Sequence, residues 1–452
     1  MPAAATHPMR GARPTRAAGP PRCAARRSAA ATLARAAATR PPAPASTELP
    51  QPPPPLVLGA VEALFKVRPL FDAATRRARA TIIERAAAIG VDWSAETSAL
   101  RAAEGDWEGA IARCVDEGTR AAGGRSLRGL AYPSYYTVPF HAYPQGNLSL
   151  DAALEVGVAS ASVHATVFAS SPSSSSSSSS AGAAAPSAPD PRGDDRLRSG
   201  YSSACLSLLR ELESEGLLSF AVPSPAADDE EGGEQQAAAG TAPAAATLRV
   251  VDFGAATGLS SLELARALGP SSHVTGVDLS PHFVAVGRVE MARRRLAAAA
   301  APAPAGAAAP PPHERVSLLH GAIEDTGLPG ASFDVVSMCL VAHELPRAAT
   351  RDALREARRL LKPGGALCLM DMDPLSPAFR RIYSNPFALA AFKSTEPWLT
   401  EYVSLDALAA VADAGFDGAS VRARACSPRH RAIVATAPLG DGGRRGGGQA
   451  AR

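Results

Sequence analysis

The chain has 452 residues, with 46 Lys+Arg, 43 Asp+Glu, 40 Pro, 38 Gly and 6 Cys, and a formal net charge of +3. Eight arginines in residues 1–47, a stretch without acids, set that sign; the rest carries 38 basic against 43 acidic groups, which excludes a general phosphate-backbone binder. The cysteines form no CxxC pair and no run of 18 apolar residues exists, so no metal site, disulfide framework or transmembrane segment is expected.

Residues 1–54 read as a transit peptide and Pro-rich linker: Arg, Ala, Pro and Thr without acids fit an organelle address better than a secretory signal. The expected compartment is the chloroplast, with the mitochondrion as the alternative. Residues 55–169 read as a helical extension with an aromatic strap. Asp72 is expected to cap a helix running through Ile82, Ile83, Ala86 and Ile89 to Gly90, and Glu96–Val115 reads as a second helix. Tyr132, Tyr135, Tyr136, Phe140, His141 and Tyr143 follow in a segment that Pro133 and Pro139 should hold extended. Residues 170–192 form a Ser-rich insert, 193–439 the main domain, and 440–452 a Gly/Arg-rich tail. Inserts at 221–246 and 297–312 have too little apolar surface to offset ordering entropy and read as surface loops. A helix is expected over Asp195–Glu215, with Leu206, Leu209 and Leu212 on one face.

The chemistry lies further on. Leu248–Phe253 is a short β-branched run, Gly254 to Gly258 a glycine turn, and Leu259–Leu268 has helical spacing. Strand, turn and helix in that order make a nucleotide-type binding entry. The dinucleotide fingerprint fails, because Ala256 and Leu259 stand where glycines are required. Asp252, two residues before Gly254, would repel a pyrophosphate and favour a ligand carrying an amino group. Asp278 ends the second strand, 20 residues past Gly258, about where a carboxylate reaches a ribose diol. Further strands are expected at Arg315–His320, Phe333–Leu340 and Ala366–Asp371, with Ala353, Leu354, Ala357, Leu360 and Leu361 lining one helix face. Two final strands, Ala419–Cys426 and His430–Ala437, are joined by so short a turn that they must be antiparallel.

With Val250-Val-Asp252-Phe-Gly254-Ala-Ala-Thr-Gly258 and Val277-Asp278-Leu-Ser-Pro281, the chain resembles the class I S-adenosylmethionine-dependent methyltransferases of the "type 11" branch. Pro139 to Leu148, Cys339 to Pro346 and Lys393 to Trp398 also resemble a group of plastid and cyanobacterial methyltransferase-like proteins. The resemblance implies an α/β fold, a doubly wound Rossmann-like seven-stranded sheet, with S-adenosylmethionine as cofactor. It implies that Gly254, Ala256 and Gly258 cradle the methionine part, that Asp252 faces its amino group and that Asp278 binds the ribose. Leu279 would lie against the adenine, with Ile323 and Glu324 on its other side. Two departures stand out: Ala256 replaces the usual middle glycine, and Ala322 replaces an Asp that contacts the adenine amino group in many relatives.

His343, just past the fourth strand, is nominated as base or substrate-orienting group, with Glu344 second. Tyr135, Tyr136, His141 and Tyr143 are candidates for an aromatic lid over the substrate; Lys393, Glu396 and Trp398 are candidates from the region before the sixth strand. No metal is required for displacement at a sulfonium. The expected activity is methyl transfer to a small, aromatic or amphipathic organic acceptor, without a nucleic-acid partner. The alternatives are a catalytically silent methyltransferase-like binding or assembly protein and a Rossmann-type oxidoreductase. Composition leaves the oligomeric state open.

Overall fold

The computed structural model describes residues 49–65, 67–121, 132–141, 143–168, 188–223, 247–300 and 310–440, which belong to one compact unit. Residues 1–48, the serine run, the tail and most of the 221–246 and 297–312 inserts lie outside the described residues.

Six helices precede the sheet: α1 (Pro55–Phe65), α2 (Arg68–Ala88), α3 (Trp93–Ala102), α4 (Trp107–Ala121), α5 (Leu150–His164) and α6 (Gly193–Ser214). Two differ from the sequence reading. Helix α2 starts at Arg68 with a proline in its first turn, where the missing N–H costs nothing, so Asp72 lies inside the helix and not at its start. The stretch Glu96–Val115 is two helices, because two aspartates start them separately. Asp92 accepts from Ala95 N at 2.9 Å, and Asp106 accepts from Gly109 N at 2.9 Å. The aromatic segment is folded into turns, not extended: Tyr136 N donates to Pro133 O, and Phe140 and Tyr143 exchange backbone bonds.

The sheet comprises β1 (Leu248–Phe253), β2 (Ser272–Asp278), β3 (Val316–His320), β4 (Phe333–Cys339), β5 (Leu361–Met372), β6 (Arg422–Ala425) and β7 (His430–Thr436), in the order β3-β2-β1-β4-β5-β7-β6. Strands β1 to β5 are parallel; β7 is antiparallel to both β5 and β6, as the short connection demands. Helices α7 (Leu259–Ala267), α8 (Pro281–Ala300) and α9 (Arg347–Leu360) follow β1, β2 and β4. The first residues of the 297–312 insert, Ala297 to Ala300, continue α8 instead of looping out, since alanine favours helix more than any other residue.

The sheet is covered on both faces. On one, Leu197, Tyr201, Leu208 and Leu212 of α6 pack on Val250, Val335, Cys368 and Val434; on the other, Ala353, Leu354 and Leu360 of α9 pack on Val336, Leu367 and Ile433. Two-sided burial explains why β1 and β4 read as apolar runs without alternation. Tyr201 ties α6 to the sheet through its hydroxyl, 2.9 Å from Ser337 Oγ and 2.8 Å from Cys368 O. The N-terminal helices are joined to the sheet side by α4, which packs on α8 and β3 and carries Glu117, 2.6 Å from Arg288. Connections leave β1 and β4 toward opposite faces, so their carboxyl ends open onto a crevice where such sheets bind ligands.

Candidate active site

Gly254 (φ 65°) and Gly258 (φ 91°) bring the chain round after β1 in left-handed backbone. A Cβ on Gly254 would come 2.5 Å from Val341 Cγ2, so the turn packs too closely for any side chain there. Ala256 is also left-handed (φ 47°), which costs an L-residue roughly 1–2 kcal/mol and shows why glycine is usual at this position. The turn is held to the neighbouring strand end. Gly254 N donates to Val277 O, and Ala256 N donates to Asp278 Oδ2 at 2.8 Å. Ser280 N reaches the other carboxylate oxygen, also at 2.8 Å. Asp278 is 7 % exposed, and burial pushes its pKa up to about 6 against these two amide bonds. Leu279 beside it is buried, with His320 Nε2 3.0 Å from its carbonyl.

Asp252, expected to face the amino group, lies next to last in β1. It is fully buried, and Oδ2 accepts from the hydroxyls of Ser260 and Ser261, both at 2.7 Å. Two serines in the first turn of α7 thus engage one oxygen and fasten β1 to α7, while Oδ1 is buried without a hydrogen-bond partner. A cation that sequence reading missed lies close by. Arg198 of α6 is paired with Asp194 (Nε to Oδ2, 3.0 Å) and sits in the electrostatic field of Asp252 and Cys339. Its signal was present: a charged residue between Leu197 and Tyr201 on the buried side of a helix, with an acid four residues earlier.

On the other side of the crevice, Ile323 belongs to the core and Glu324 is half-buried, with its pKa raised by desolvation. Tyr135 donates to Glu324 Oε1, while Oε2 is buried with no hydrogen-bond partner. Pro133 and Tyr135 line a cleft with Ala322, Glu324, Pro346 and Asp352.

Past β4, a single helical turn, Ala342–Glu344, carries His343 and Glu344. His343 Nδ1 lies 2.8 Å from Asp371 Oδ1, its backbone N donates to Asp371 Oδ2 at 3.0 Å, and Tyr402 packs edge-on to the ring. His343 Nε2 faces Glu396 Oε2 at 4.0 Å. Glu396 Oε1 is 2.9 Å from His141 Nε2, which is in turn 3.7 Å from Glu344 Oε1. Four of the nominated residues therefore meet in one cluster, and the strap supplies one of them. Tyr136 adjoins it, hydrogen-bonded to Asn147 in the fields of Asp278 and Glu344. Burial works against charge on His343, but Asp371, Glu396 and Glu344 outweigh it and raise its pKa to about 10. Burial, with Glu396 and Asp278, lifts Glu344 to about 7 although both histidines oppose this.

Tyr135, held by Glu324, lies outside the cluster, and so do Tyr143, Lys393 and Trp398. Tyr143 turns to the N-terminal helices and bonds Glu155, which Arg79 also pairs, so it is not part of a lid. A tight turn reverses the chain between Phe140 and Tyr143, and sequence spacing cannot show that. Lys393 is half-buried on the helix Pro386–Thr395, and Trp398 precedes the helix Leu399–Val403 with its indole N–H buried and unpartnered. Asp371, by contrast, is central to the cluster; at the end of a strand it had no spacing signal to link it to His343, 28 residues earlier.

The strand order, the glycine turn and the carboxylate at the tip of β2 define a class I methyltransferase fold with its crevice. Residues 251–369 match the family model described as a methyltransferase domain. Demethylmenaquinone methyltransferase of Staphylococcus aureus strain JH9 is 29% identical over 140 residues, 31% of this chain and 49% of the relative. The chain thus spans about half the length of the curated relatives it matches. Among solved structures, the CurJ carbon methyltransferase has a TM-score of 0.32 at 17% identity, covering 44% of this chain and 50% of that one. A SAM-dependent methyltransferase from Aquifex aeolicus has a TM-score of 0.29 at 18% identity, covering 42% and 82%.

The residues present fit S-adenosylmethionine. The turn at Gly254 admits no Cβ, Asp278 offers spare lone pairs to a diol, and Glu324 Oε2 is a buried acceptor without a donor.

Proposed function

We propose that this protein transfers a methyl group from S-adenosylmethionine to a small aromatic or amphipathic organic acceptor. The observation that carries this reading is the bond from Ala256 N to Asp278 Oδ2. It joins the glycine turn of β1 to the carboxylate of β2 as two walls of one crevice. Asp278 would hold the ribose hydroxyls, Leu279, Ile323 and Glu324 the adenine, and Arg198 the carboxylate of the methionine part. The cofactor supplies an activated methyl group, so the chain's main tasks are to hold the acceptor in line and keep water out.

The charge states of the cluster favour a division of labour. His343, protonated at neutral pH, orients and stabilises charge. Glu344, with its pKa near neutrality, is the better base. The sequence reading ranked these two the other way. The curated relatives are named for demethylmenaquinone, so that compound is the first acceptor to try. Titration calorimetry with S-adenosylmethionine, followed by transfer of labelled methyl to an acceptor panel, tests the reading. Failure to bind the cofactor refutes it, and binding without turnover points to a silent relative. We also propose a chloroplast address in residues 1–54, tested by whether that segment fused to a fluorescent protein enters plastids, mitochondria or neither.

A further inference from the structure

We propose that His141 is a proton outlet: Glu344 takes a proton from the acceptor, and His141 passes it to solvent. The inference rests on the methyl transfer proposed above and narrows its acceptor to groups that lose a proton on methylation, such as a phenol, an enol or a similarly acidic C–H.

Three carboxylates, Asp371, Glu396 and Glu344, lie against the two histidines. Asp371 is engaged twice by His343, and Glu396 lies 2.9 Å from His141. Glu344 is left with His141 at 3.7 Å as its nearest ion partner, and it faces Tyr136 and Asp278, toward the cofactor crevice. Of these cluster side chains, His141 is the most exposed, at 42%, against 24% for Glu344, 11% for His343 and 8% for Glu396. A proton arriving at Glu344 therefore has an outward path through the imidazole of His141, its more exposed neighbour.

His141 is also held firmly in that place. Its backbone is left-handed (φ 49°), which is unfavourable for a residue with a Cβ and persists only when the surroundings fix it. Its N–H donates to Thr395 O at 3.2 Å, and its ring meets Phe140 edge-on at 4.2 Å. The groups facing the ring are Glu396, Glu344 and His343; the two carboxylates raise its pKa against burial and His343. Once protonated, the ring can release a proton outward and be recharged by Glu344, whose carboxylate lies 3.7 Å away.

The step balances. For a hydroxyl acceptor the O–H bond breaks and its proton passes to Glu344. The oxygen lone pair forms the bond to the methyl carbon. The carbon–sulfur electron pair stays with sulfur, giving a neutral thioether, and one proton leaves through His141. A thioether acceptor has no proton to lose and would gain nothing from this arrangement.

The test needs no acceptor. The full chain, labelled at its histidine ring carbons and saturated with S-adenosylhomocysteine, is titrated by NMR. The resonance missing from His141→Gln identifies the residue. It is expected to titrate above the ordinary histidine value of about 6.5. It should fall toward that value in Glu396→Gln and shift downward, by less, in Glu344→Gln. An ordinary pKa that ignores both substitutions overturns the relay while cofactor binding, and with it the methyltransferase reading, stands. If His141→Gln misfolds, His141→Asn serves for the assignment. Once an acceptor is known, His141→Gly should lower kcat at least tenfold with KM and cofactor affinity within twofold, and added imidazole should restore part of it. An unchanged kcat, or a loss that imidazole leaves untouched, refutes the proposal.

Discussion

Asp371 holds His343 at two points, the ring through Oδ1 at 2.8 Å and the backbone N–H through Oδ2 at 3.0 Å. One carboxylate at the end of β5 thereby fixes both the rotamer and the position of a residue in the loop after β4. Asp371 is fully buried and His343 nearly so, which makes their pairing strong and its loss costly.

Asp371→Asn is expected to destabilise the protein by about 3–5 kcal/mol at pH 7, because a buried imidazolium loses its counter-charge. The pH dependence gives the sign. His343 is raised in the folded chain to about 10, so the stability it contributes is complete below its unfolded value of about 6.5 and is lost as pH rises toward 10. Wild-type stability should fall across that window, and that of Asp371→Asn should fall less. Urea unfolding at several pH values measures both.

Cofactor binding should depend on the ionisation of Asp278. Burial raises its pKa to about 6, so the charged acceptor for the ribose hydroxyls disappears as pH falls through that value. Affinity for S-adenosylmethionine should drop about tenfold between pH 7 and pH 5. Asp278→Ala should cost ~2–3 kcal/mol, roughly two decades in Kd at pH 7, and flatten the profile. Calorimetry with near-equal affinity in the two proteins contradicts the ribose assignment.

Gly287 lies within α8, where alanine would ordinarily stabilise by about 1 kcal/mol. Here its Cβ would come 2.4 Å from Leu318 Cδ1 and 2.7 Å from the carbonyl oxygen of Thr257 in the cofactor turn. Gly287→Ala is therefore expected to destabilise, by ~1–3 kcal/mol, and to weaken cofactor binding by displacing the turn. Thermal melts with and without cofactor give the sign.

Tyr201→Phe separates fold from site. It removes a buried hydroxyl that bonds Ser337 Oγ and Cys368 O and leaves both without that partner. A loss of ~1–3 kcal/mol is expected, with cofactor affinity at a temperature well below melting unchanged within twofold. A large affinity loss would show that α6 shapes the crevice through this contact as well as through Arg198.

Much of the sheet was legible because its signals are local. Strand β1 begins and ends where its apolar run does, and β2, β4 and the antiparallel β6–β7 pair depart by only a few residues. The glycine turn and the acid 20 residues beyond it were legible for the same reason: backbone freedom and strand length fix their spacing. Helix starts were less so. Asp92 and Asp106 compete with the apolar periodicity of Glu96–Val115, and the caps prevail because each satisfies an otherwise unpaired N–H.

The sequence by itself determined that a βαβ core would present Gly254, Gly258 and Asp278 at adjacent strand ends, since a parallel sheet with right-handed crossovers permits little else. Tertiary structure alone decided that Asp252 is taken up by two serines, that Tyr143 turns away, and that His141, Glu344, Glu396 and His343 converge. Those outcomes depend on which partner lies within about 3 Å once distant segments pack, and hydrogen-bond and charge energies at that range are settled by geometry that no spacing along the chain encodes.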